Sequence, residues 1–278
     1  FLRVNYIMGE SLTRFFIKMY LIISVPIAIL IILNSKKIHK NYNFNFRKKI
    51  VIGFRFFFNS IFIETCTSYK SHLVMALKIL ETSDEVVGDI VECGTFKGGS
   101  AANLSLVCNL VGRKLLIFDS FEGLPEGKTK DREAKQYKKG DYCGTLEEVK
   151  KNISTYGEID SCEFIKGWFD ETLPKINSPV LLAFLDVDLE DSLYTCVKNI
   201  WPHLVDEGGF LFIDEMDSTD YCALFYSEKF WEKNFGRKPP GLIGAGAGLP
   251  LGGYYIGPWL ERNDHPTWCA NAPAYTKK

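Results

Sequence analysis

The composition of this chain of 278 residues indicates a folded protein with a large core, because 46% of its residues are hydrophobic and 24% are charged. Its formal net charge of -1 argues against a nucleic-acid partner, since basic residues are not in excess. The eight cysteines include no C-x-x-C pair, and several fall in predicted buried elements, so a reducing cytoplasm accounts for them better than disulfides do.

The first element in chain order is a hydrophobic run over residues 15–33. It approaches the ~20 apolar residues of a bilayer-spanning helix, although Lys18 and Pro26 interrupt it. A signal peptide and a buried or dimer-forming helix are the alternatives. The run is followed by a basic flank, which comprises Lys36, Lys37, Lys40, Arg47, Lys48 and Lys49. By the positive-inside rule, this flank predicts that the rest of the chain lies in the cytoplasm. We therefore expect residues 1–49 to form a membrane-anchor helix with its basic flank, and residues 50–278 to form one folded domain.

Residues 88–100, GDIVECGTFKGGS, form the most informative motif. An apolar strand ends at Glu92 and is followed by a glycine-rich turn and a predicted helix. Gly94, Gly98 and Gly99 allow the backbone to approach a ligand closely. The spacing is neither the dinucleotide G-x-G-x-x-G nor a Walker loop. A carboxylate before the first glycine repels a pyrophosphate but suits a positively charged ligand, and S-adenosylmethionine carries an ammonium and a sulfonium. The alternative is a tight turn whose glycines only pack.

Four further apolar runs predict parallel strands whose carboxyl ends collect polar residues. The run over residues 115–118 ends in Asp119, where a ribose diol would be hydrogen-bonded. The next ends near Gly167, with Trp168 and Phe169 available to cover an adenine. The last two, in VLLAFLDVDLEDS and GGFLFIDEMDS, each stop at a cluster of acids. The pattern predicts a single α/β domain with buried parallel strands.

Two loops flank these strands. Residues 125–142 are charged and lack an apolar period, so they form either a solvated insertion or a lid over the acceptor. Thr145 is predicted to begin the next helix, with Glu148 completing a capping box. A glycine-rich stretch near residue 245 precedes a predicted strand at residues 253–256 and is expected to be a turn beside the acceptor pocket.

Five ordered motifs over residues 65–256 resemble the macrocin O-methyltransferase (TylF/MycF-type) family of class I S-adenosylmethionine-dependent enzymes. They are GDIVECGTFKGGSA, LLIFDSFEGLPE, FIKGWFDETLP, LLAFLDVDLEDS and LVDEGGFLFIDE. The resemblance implies a Rossmann-like, mostly parallel, doubly wound sheet of seven strands, a sugar hydroxyl as the methyl acceptor, and a magnesium ion at the strand ends. We predict that the cofactor contacts a set of residues at these strand ends: Glu92, Cys93, Gly94, Thr95, Gly98, Ser100, Asp119, Ser120, Gly167 and Trp168.

The acids that follow the fourth and fifth strands predict a metal site. Asp186 and the pair Asp214 and Glu215 close neighbouring strands ~4.8 Å apart, where carboxylates repel unless a cation lies between them. Oxygen ligands suit magnesium or calcium, and such an ion could hold two vicinal sugar hydroxyls and lower the pKa of one. The family pattern implies that these three residues are the ligands. Asp186 and Asp188 are the candidate catalytic residues, with Asp188 as general base or outer-shell partner.

The family more often has a second aspartate at position 215 and an aromatic residue at position 190, so the substrate of this chain is open. The alternative for the acids is helix capping and solvation. Among the histidines, His203 is expected at the surface or in the core, whereas His72 and His265 either contact substrate or simply pack.

These patterns predict a methyltransferase that acts on a sugar hydroxyl with S-adenosylmethionine and Mg2+. A membrane anchor favours a lipid-linked or surface glycan as acceptor. Enzymes of this type often assemble, so a homo-oligomer is open. Two other classes remain: a glycosyltransferase that uses the D-x-D at residues 186–188, and a non-catalytic membrane scaffold built on a methyltransferase fold.

Overall fold

The computed structural model describes residues 38–126, 137–206, 208–214, 219–243 and 274–278, together with Met19 and Ile23. A single mixed sheet of six strands runs through this part of the chain, in the order β3-β2-β1-β4-β5-β6. The strands are β1 (Asp89–Cys93), β2 (Leu115–Asp119), β3 (Cys162–Lys166), β4 (Val180–Leu185), β5 (Phe210–Ile213) and β6 (Ala274–Lys277). The first five pair in parallel and β6 pairs antiparallel to β5, so the predicted doubly wound parallel arrangement is confirmed.

The prediction of seven strands is not matched in the described residues, which contain six. The predicted strand at residues 253–256 lies outside them. Strand β6 falls at Ala274–Lys277, where the sequence suggests only an aromatic tail. Its backbone pairs with β5, and Tyr275 stacks on Phe212 with ring centroids 4.9 Å apart.

Helices cover both faces of the sheet. They are α1 (Phe46–Phe62), α2 (Tyr69–Glu81), α3 (Gly99–Val111), α4 (Leu146–Tyr156), α5 (Phe169–Thr172), α6 (Glu190–Ile200), α7 (Thr219–Leu224) and α8 (Glu228–Phe235). Helices α1 to α4 share one buried apolar cluster with alternate strand residues, and α5 to α8 share the other. In β1, for example, Ile90 packs in the first cluster and Val91 in the second. This alternation follows from the pleat of a strand that is buried on both faces.

Helix boundaries follow capping chemistry. Thr145 caps α4 by accepting a hydrogen bond from Glu148 N over 3.2 Å, which confirms the predicted cap. The Glu148 carboxylate lies 3.6 Å from Lys97 Nζ, so it contributes to an ion pair with the glycine loop. Gly98, with φ +83°, begins α3 in the left-handed conformation that glycine adopts readily.

The folded unit begins ahead of the predicted boundary at residue 50. Tyr42 and Phe44 are buried in the first cluster, and Tyr42 donates a hydrogen bond to Thr82 O over 2.9 Å. His39 N donates to Leu80 O, which fixes the same segment to the end of α2. Residues 38–49, which the sequence assigns to the basic flank, therefore pack against the domain.

The predicted membrane helix lies outside the described residues except for Met19 and Ile23, which are both exposed. Among the residues that are described, no helix combines the length and the apolar character that a bilayer crossing requires.

Candidate active site

The carboxyl ends of the parallel strands meet at one edge of the sheet, and the candidate site lies there. Main-chain hydrogen bonds extend the register past the strands: Asp186 N donates to Cys93 O over 3.0 Å, and Asp214 N donates to Leu185 O over 3.1 Å. Because Leu185 also pairs with Cys93 in the ladder, Gly94, Asp186 and Asp214 follow at equivalent positions of three adjacent strands. The fold therefore brings the glycine loop beside two of the three predicted metal ligands.

Two glycines of this loop are required by close packing within the protein itself. Gly94 has φ +81°, and a Cβ there would lie 1.8 Å from the Asp186 carbonyl oxygen. A Cβ at Gly99 would lie 2.8 Å from the side chain of Thr65. Close packing thus explains why glycine occupies these two positions. A ligand has to be inferred instead from the polar groups around the loop.

Glu92 is the polar group that most strongly indicates a ligand. Its side chain is fully buried at the end of β1, on the α3 face of the strand, and Oε2 accepts a hydrogen bond from Thr95 Oγ1 over 3.0 Å. Oε1 is buried with no hydrogen-bond partner among the described residues. Burial is the main cause that raises the pKa of Glu92 to about 7, and the Asp119 charge adds to it, while the hydroxyls of Thr95 and Ser100 act in the opposite direction. A buried carboxylate with an unpaired oxygen fits a cationic ligand group.

Asp119 holds the glycine loop in place from the neighbouring strand. One oxygen, Oδ2, accepts from Thr95 N over 2.8 Å, and Oδ1 accepts from Phe121 N over 2.7 Å. Burial raises the pKa of Asp119, whereas these backbone donors lower it. Ser120 accepts from Glu122 N and donates to Gly123 O, both over 3.1 Å, so its hydroxyl stabilises the turn that follows β2.

The Cys93 thiol lies on the opposite face of β1 from Glu92, because successive side chains of a strand alternate. Cys93 is fully buried in the second apolar cluster, and burial, followed by the nearby Cys196 thiol of α6, raises its pKa well above the usual value. A neutral thiol inside the core is out of reach of a ligand at the sheet edge. Of the predicted cofactor contacts, Cys93 can therefore contribute only its main chain.

The end of β3 completes this side of the site. Gly167 has φ +145°, and its amide donates to Asp119 O over 3.0 Å, which ties β3 to β2 at the sheet edge. Trp168 follows, half-buried, at the N-cap position of α5. Its carbonyl accepts hydrogen bonds from Thr172 N and Thr172 Oγ1, over 3.0 and 2.8 Å. The main chain of Trp168 is thus fixed two residues beyond the strand end at Lys166.

The structure describes only two of the three carboxylates after β4 and β5 that form the predicted metal site. Asp214 is buried and Asp186 is half-buried at equivalent register positions, whereas Glu215 lies outside the described residues. Within the described ranges, no group of three His, Cys, Asp or Glu side chains could hold a metal ion. Asp188 adopts φ +55°, a left-handed conformation that is uncommon for an aspartate, between the buried residues Val187 and Leu189.

The C-terminal flank of the predicted lid packs against the glycine loop. Leu124 and Gly140 bracket the segment, and Gly140 N donates to Leu124 O over 2.9 Å. Tyr142 meets the Phe96 ring edge-on with centroids 5.7 Å apart, and a Cβ at Gly144 would lie 1.9 Å from Phe96 O. Residues 127–136 lie outside the described part. Neither Phe96 nor Tyr142 is a predicted site residue, and both have positive φ without being glycine, so no residue type signals their conformation.

His72 belongs to the core and not to the site edge. Its Nδ1 lies 2.9 Å from Asn103 Nδ2 and its Nε2 lies 2.7 Å from Thr67 Oγ1. Burial lowers the pKa of His72 to about 3, so the ring stays neutral. His203 is half-buried at the end of the 3-10 turn Trp201–His203 before β5, while His265 lies outside the described residues.

Comparison with known proteins identifies the family. The profile of the Macrocin-O-methyltransferase (TylF) family matches residues 71–237. One relative is an 8-demethyl-8-(2,3-dimethoxy-alpha-L-rhamnosyl)-tetracenomycin-C 4'-O-methyltransferase from Streptomyces olivaceus, 34% identical over 55% of this chain and 65% of its own length. Another is a mycinamicin III 3''-O-methyltransferase from Micromonospora griseorubida, 30% identical over 50% of this chain and 57% of its own length. The chain thus spans less than two thirds of the length of either relative.

Solved structures show the same fold. The O-methyltransferase NovP superposes with a TM-score of 0.60 at 21% identity, covering 77% of this chain and 82% of that protein. The calicheamicin methyltransferase CalS11 superposes with a TM-score of 0.54 at 18% identity, covering 91% of each chain. With the profile match over more than half of its residues, the chain belongs to the macrocin O-methyltransferase family.

Proposed function

We propose that this protein is an S-adenosylmethionine- and Mg2+-dependent O-methyltransferase that acts on a sugar hydroxyl of a lipid-linked or surface glycan. Membership of the family supports the type of reaction. The name of one relative, an O-methyltransferase of a rhamnosyl-tetracenomycin, supports a sugar acceptor. The observation that carries the proposal is Glu92, whose buried Oε1 has no partner among the described residues.

The polar groups around the glycine loop fit the methyl donor. S-adenosylmethionine supplies an activated methyl group, an ammonium and a ribose diol when it is bound. Glu92 Oε1 is free to accept a hydrogen bond from an ammonium, which would restore the ionised form of this carboxyl. Asp119 keeps lone pairs beyond its two backbone hydrogen bonds and is the acid nearest to a ribose position beyond β2. Trp168, at the end of β3, is the aromatic side chain available to an adenine.

The acids after β4 and β5 fit a hard cation. Asp186 and Asp214 offer oxygen ligands from adjacent strands, and Glu215 is the third ligand that we propose. A magnesium ion bound there would lower the pKa of a coordinated sugar hydroxyl. We assign to Asp188 the role of accepting the hydroxyl proton, because its left-handed backbone conformation is the kind of local strain that functional positions retain.

Localisation at a membrane is part of the proposal and is supported by the sequence alone. The apolar run at residues 15–33 precedes a basic flank, which favours a membrane-associated protein whose catalytic domain lies in the cytoplasm. Such a position suits an acceptor that is itself held at the cytoplasmic face.

The test has two stages, both on the full chain. Calorimetric titration of S-adenosylmethionine should show saturable binding that Glu92→Gln weakens at least tenfold, since a charge-assisted hydrogen bond contributes about 1.5–3 kcal/mol. Transfer of a labelled methyl group to a panel of nucleotide sugars, free glycosides and lipid-linked glycans then identifies the acceptor. Absence of donor binding by folded protein would refute the proposal, and activity restricted to soluble sugars would refute the lipid-linked acceptor.

A further inference from the structure

The solvent-facing side of α1 is apolar, whereas the exposed side of a surface helix is normally polar. Five side chains form this outer face of α1: Val51, Phe54, Phe58, Ile61 and Phe62. Each is between 37% and 58% exposed. They span twelve residues, or about 16 Å along the helix axis between the first and the last. The opposite side of the same helix, which includes Ile52 and Phe56, is buried in the core. The exposed residues are therefore additional to those that the fold needs.

Aromatic stacking organises this outer face. Phe54 stacks on Phe58 with centroids 6.2 Å apart, and Phe58 stacks on Phe62 at the same distance. The Tyr156 ring of α4 extends the row, lying 5.7 Å from Phe62 and nearly parallel to it. A contiguous exposed row of this kind marks an interaction surface.

The exposed charges at the start of α1 are basic. Arg47 and Lys48 are exposed in the first turn of α1, and Lys40 is exposed just before it. Helix α1 contains no Asp or Glu. Arg55 has its own partner, Glu158, at 3.5 Å. A helix that exposes aromatic residues beside lysine and arginine, with no carboxylate of its own, is complementary to an anionic lipid surface. A second copy of the same helix would bring no opposite charge to it.

The position of the chain before α1 favours the same partner. The apolar run at residues 15–33 ends only about a dozen residues before α1 begins. Met19 and Ile23 of that run are exposed, at 40% and 60%.

From these observations we infer that the outer face of α1 docks the catalytic domain onto an anionic membrane surface. The docked domain would lie with α1 in the plane of the headgroups, the aromatic row inserted among the acyl chains and the first-turn cations among the lipid phosphates. This contact is distinct from any anchoring by residues 15–33 and does not depend on the chemistry at the sheet edge.

Two measurements on the full chain test the inference. In flotation assays with phosphatidylcholine vesicles containing 30% phosphatidylglycerol, the variant Phe54→Glu/Phe58→Glu should bind at least tenfold more weakly than the parent chain. Val87→Glu, at a residue 71% exposed on a different surface, is the matched control and should bind like the parent. Thermal unfolding confirms that each variant is folded, since the replaced side chains lie at the surface.

A depth measurement decides the matter if residues 15–33 keep every variant on the vesicles. The fluorescence that Phe58→Trp adds to that of the five tryptophans of the parent chain should be quenched by brominated acyl chains at least twofold more than the fluorescence that Val87→Trp adds. Equal quenching at the two positions would overturn the inference. If high salt does release Phe54→Glu/Phe58→Glu from the vesicles, flotation of this variant equal to that of the parent chain would overturn it as well. So would a halved particle mass for Phe54→Glu/Phe58→Glu with unchanged vesicle binding, which would indicate a second copy as the partner.

Discussion

The replacement Glu92→Gln separates a role in folding from a role in ligand binding. Burial raises the pKa of Glu92 from 4.5 to about 7. In the folded protein the carboxyl therefore holds its proton over a pH range in which the unfolded chain has lost it. Stability contributed by this residue is present below pH 4.5 and falls as the pH rises through the window up to about 7. Above about pH 7, this difference in pKa lowers the free energy of unfolding by about 3 kcal/mol relative to an uncharged side chain.

Glutamine removes the charge but keeps an oxygen for the Thr95 hydroxyl, which lies 3.0 Å from Oε2. Its amide N–H groups lack a partner at the position of Oε1, and this costs about 1–2 kcal/mol. We therefore expect Glu92→Gln to stabilise the ligand-free protein at pH 8 by a net ~1–2 kcal/mol, which raises Tm by about 2–8 °C. At pH 5 the gain should disappear, because the native carboxyl is then largely protonated.

The assay is thermal unfolding at both pH values, with and without saturating S-adenosylmethionine. Glu163→Gln, on the exposed side of β3, is the matched control and should show no pH-dependent difference. With ligand, the order reverses: the parent chain should gain stability and Glu92→Gln should gain little. A Tm difference that is the same at pH 5 and pH 8, or an equal ligand-induced gain in both proteins, would refute the reasoning about Glu92.

Three further predictions address the backbone, the metal and the core. Gly94→Ala should unfold at a urea midpoint well below that of Gly112→Ala. Positive φ costs both variants about 1–2 kcal/mol, but only at Gly94 would the Cβ lie 1.8 Å from the Asp186 carbonyl oxygen. Equal midpoints would contradict the clash at Gly94. Asp186→Asn should reduce methyl transfer at least a hundredfold and abolish the recovery of activity when Mg2+ is added back after chelation. Asp170→Asn, at an exposed residue of α5, is the control and should do neither. A chelated parent enzyme that keeps full activity would rule out the metal. The His72 imidazole, with its pKa lowered to about 3, should show unchanged NMR shifts from pH 8 to pH 5. Because this histidine takes up a proton below about pH 6.5 in the unfolded chain, the free energy of unfolding should fall as the pH is lowered from about 6.5 to 5. Titration of the ring near pH 6.5 in the folded protein would place it in solvent instead.

The sequence was a good guide to the sheet because its strands are short apolar runs that stop at polar residues. Parallel strands buried on both faces collect polar residues near their carboxyl ends, so Glu92, Asp119, Asp186 and Asp214 could be assigned to one edge from the sequence alone. The position of these acids along the sheet can also be predicted, since neighbouring parallel strands end at nearly the same height in the sheet. What remained open was the environment of each carboxyl, which depends on three-dimensional burial.

The prediction that Cys93 contacts the cofactor depends only on its place in the glycine-loop motif. It stands next to Glu92 in the motif, yet the pleat directs its thiol into the core beside Cys196. The period of two along β1 contained this information. His72 is a different case, because its partners Thr67 and Asn103 come from elements that no local pattern connects. Only the packing of α2 on α3 reveals that its two nitrogens are already engaged.

Strand β6 could not be predicted, for a physical reason. It has four residues, and its strand character comes from pairing with β5 and from the Tyr275 ring on Phe212, not from its own sequence. So short a segment has no periodicity to detect. The early start of the domain was hidden in a similar way, because the buried Tyr42 and Phe44 stand among lysines and asparagines that indicate a solvated linker.

The pairing of β5 with β6 also has a consequence for synthesis in the cell. About 60 residues separate Ile213 from Ala274, and a ribosome adds about 5–20 residues per second. For about 3 to 12 seconds the nascent chain therefore presents β5, with the sequence FLFI, as an unpaired sheet edge. Open apolar edges recruit other chains, so newly made protein is most prone to aggregate during this interval. Slower translation of residues 214–273 would lengthen the interval, and a chaperone that covers β5 would protect the chain until β6 arrives.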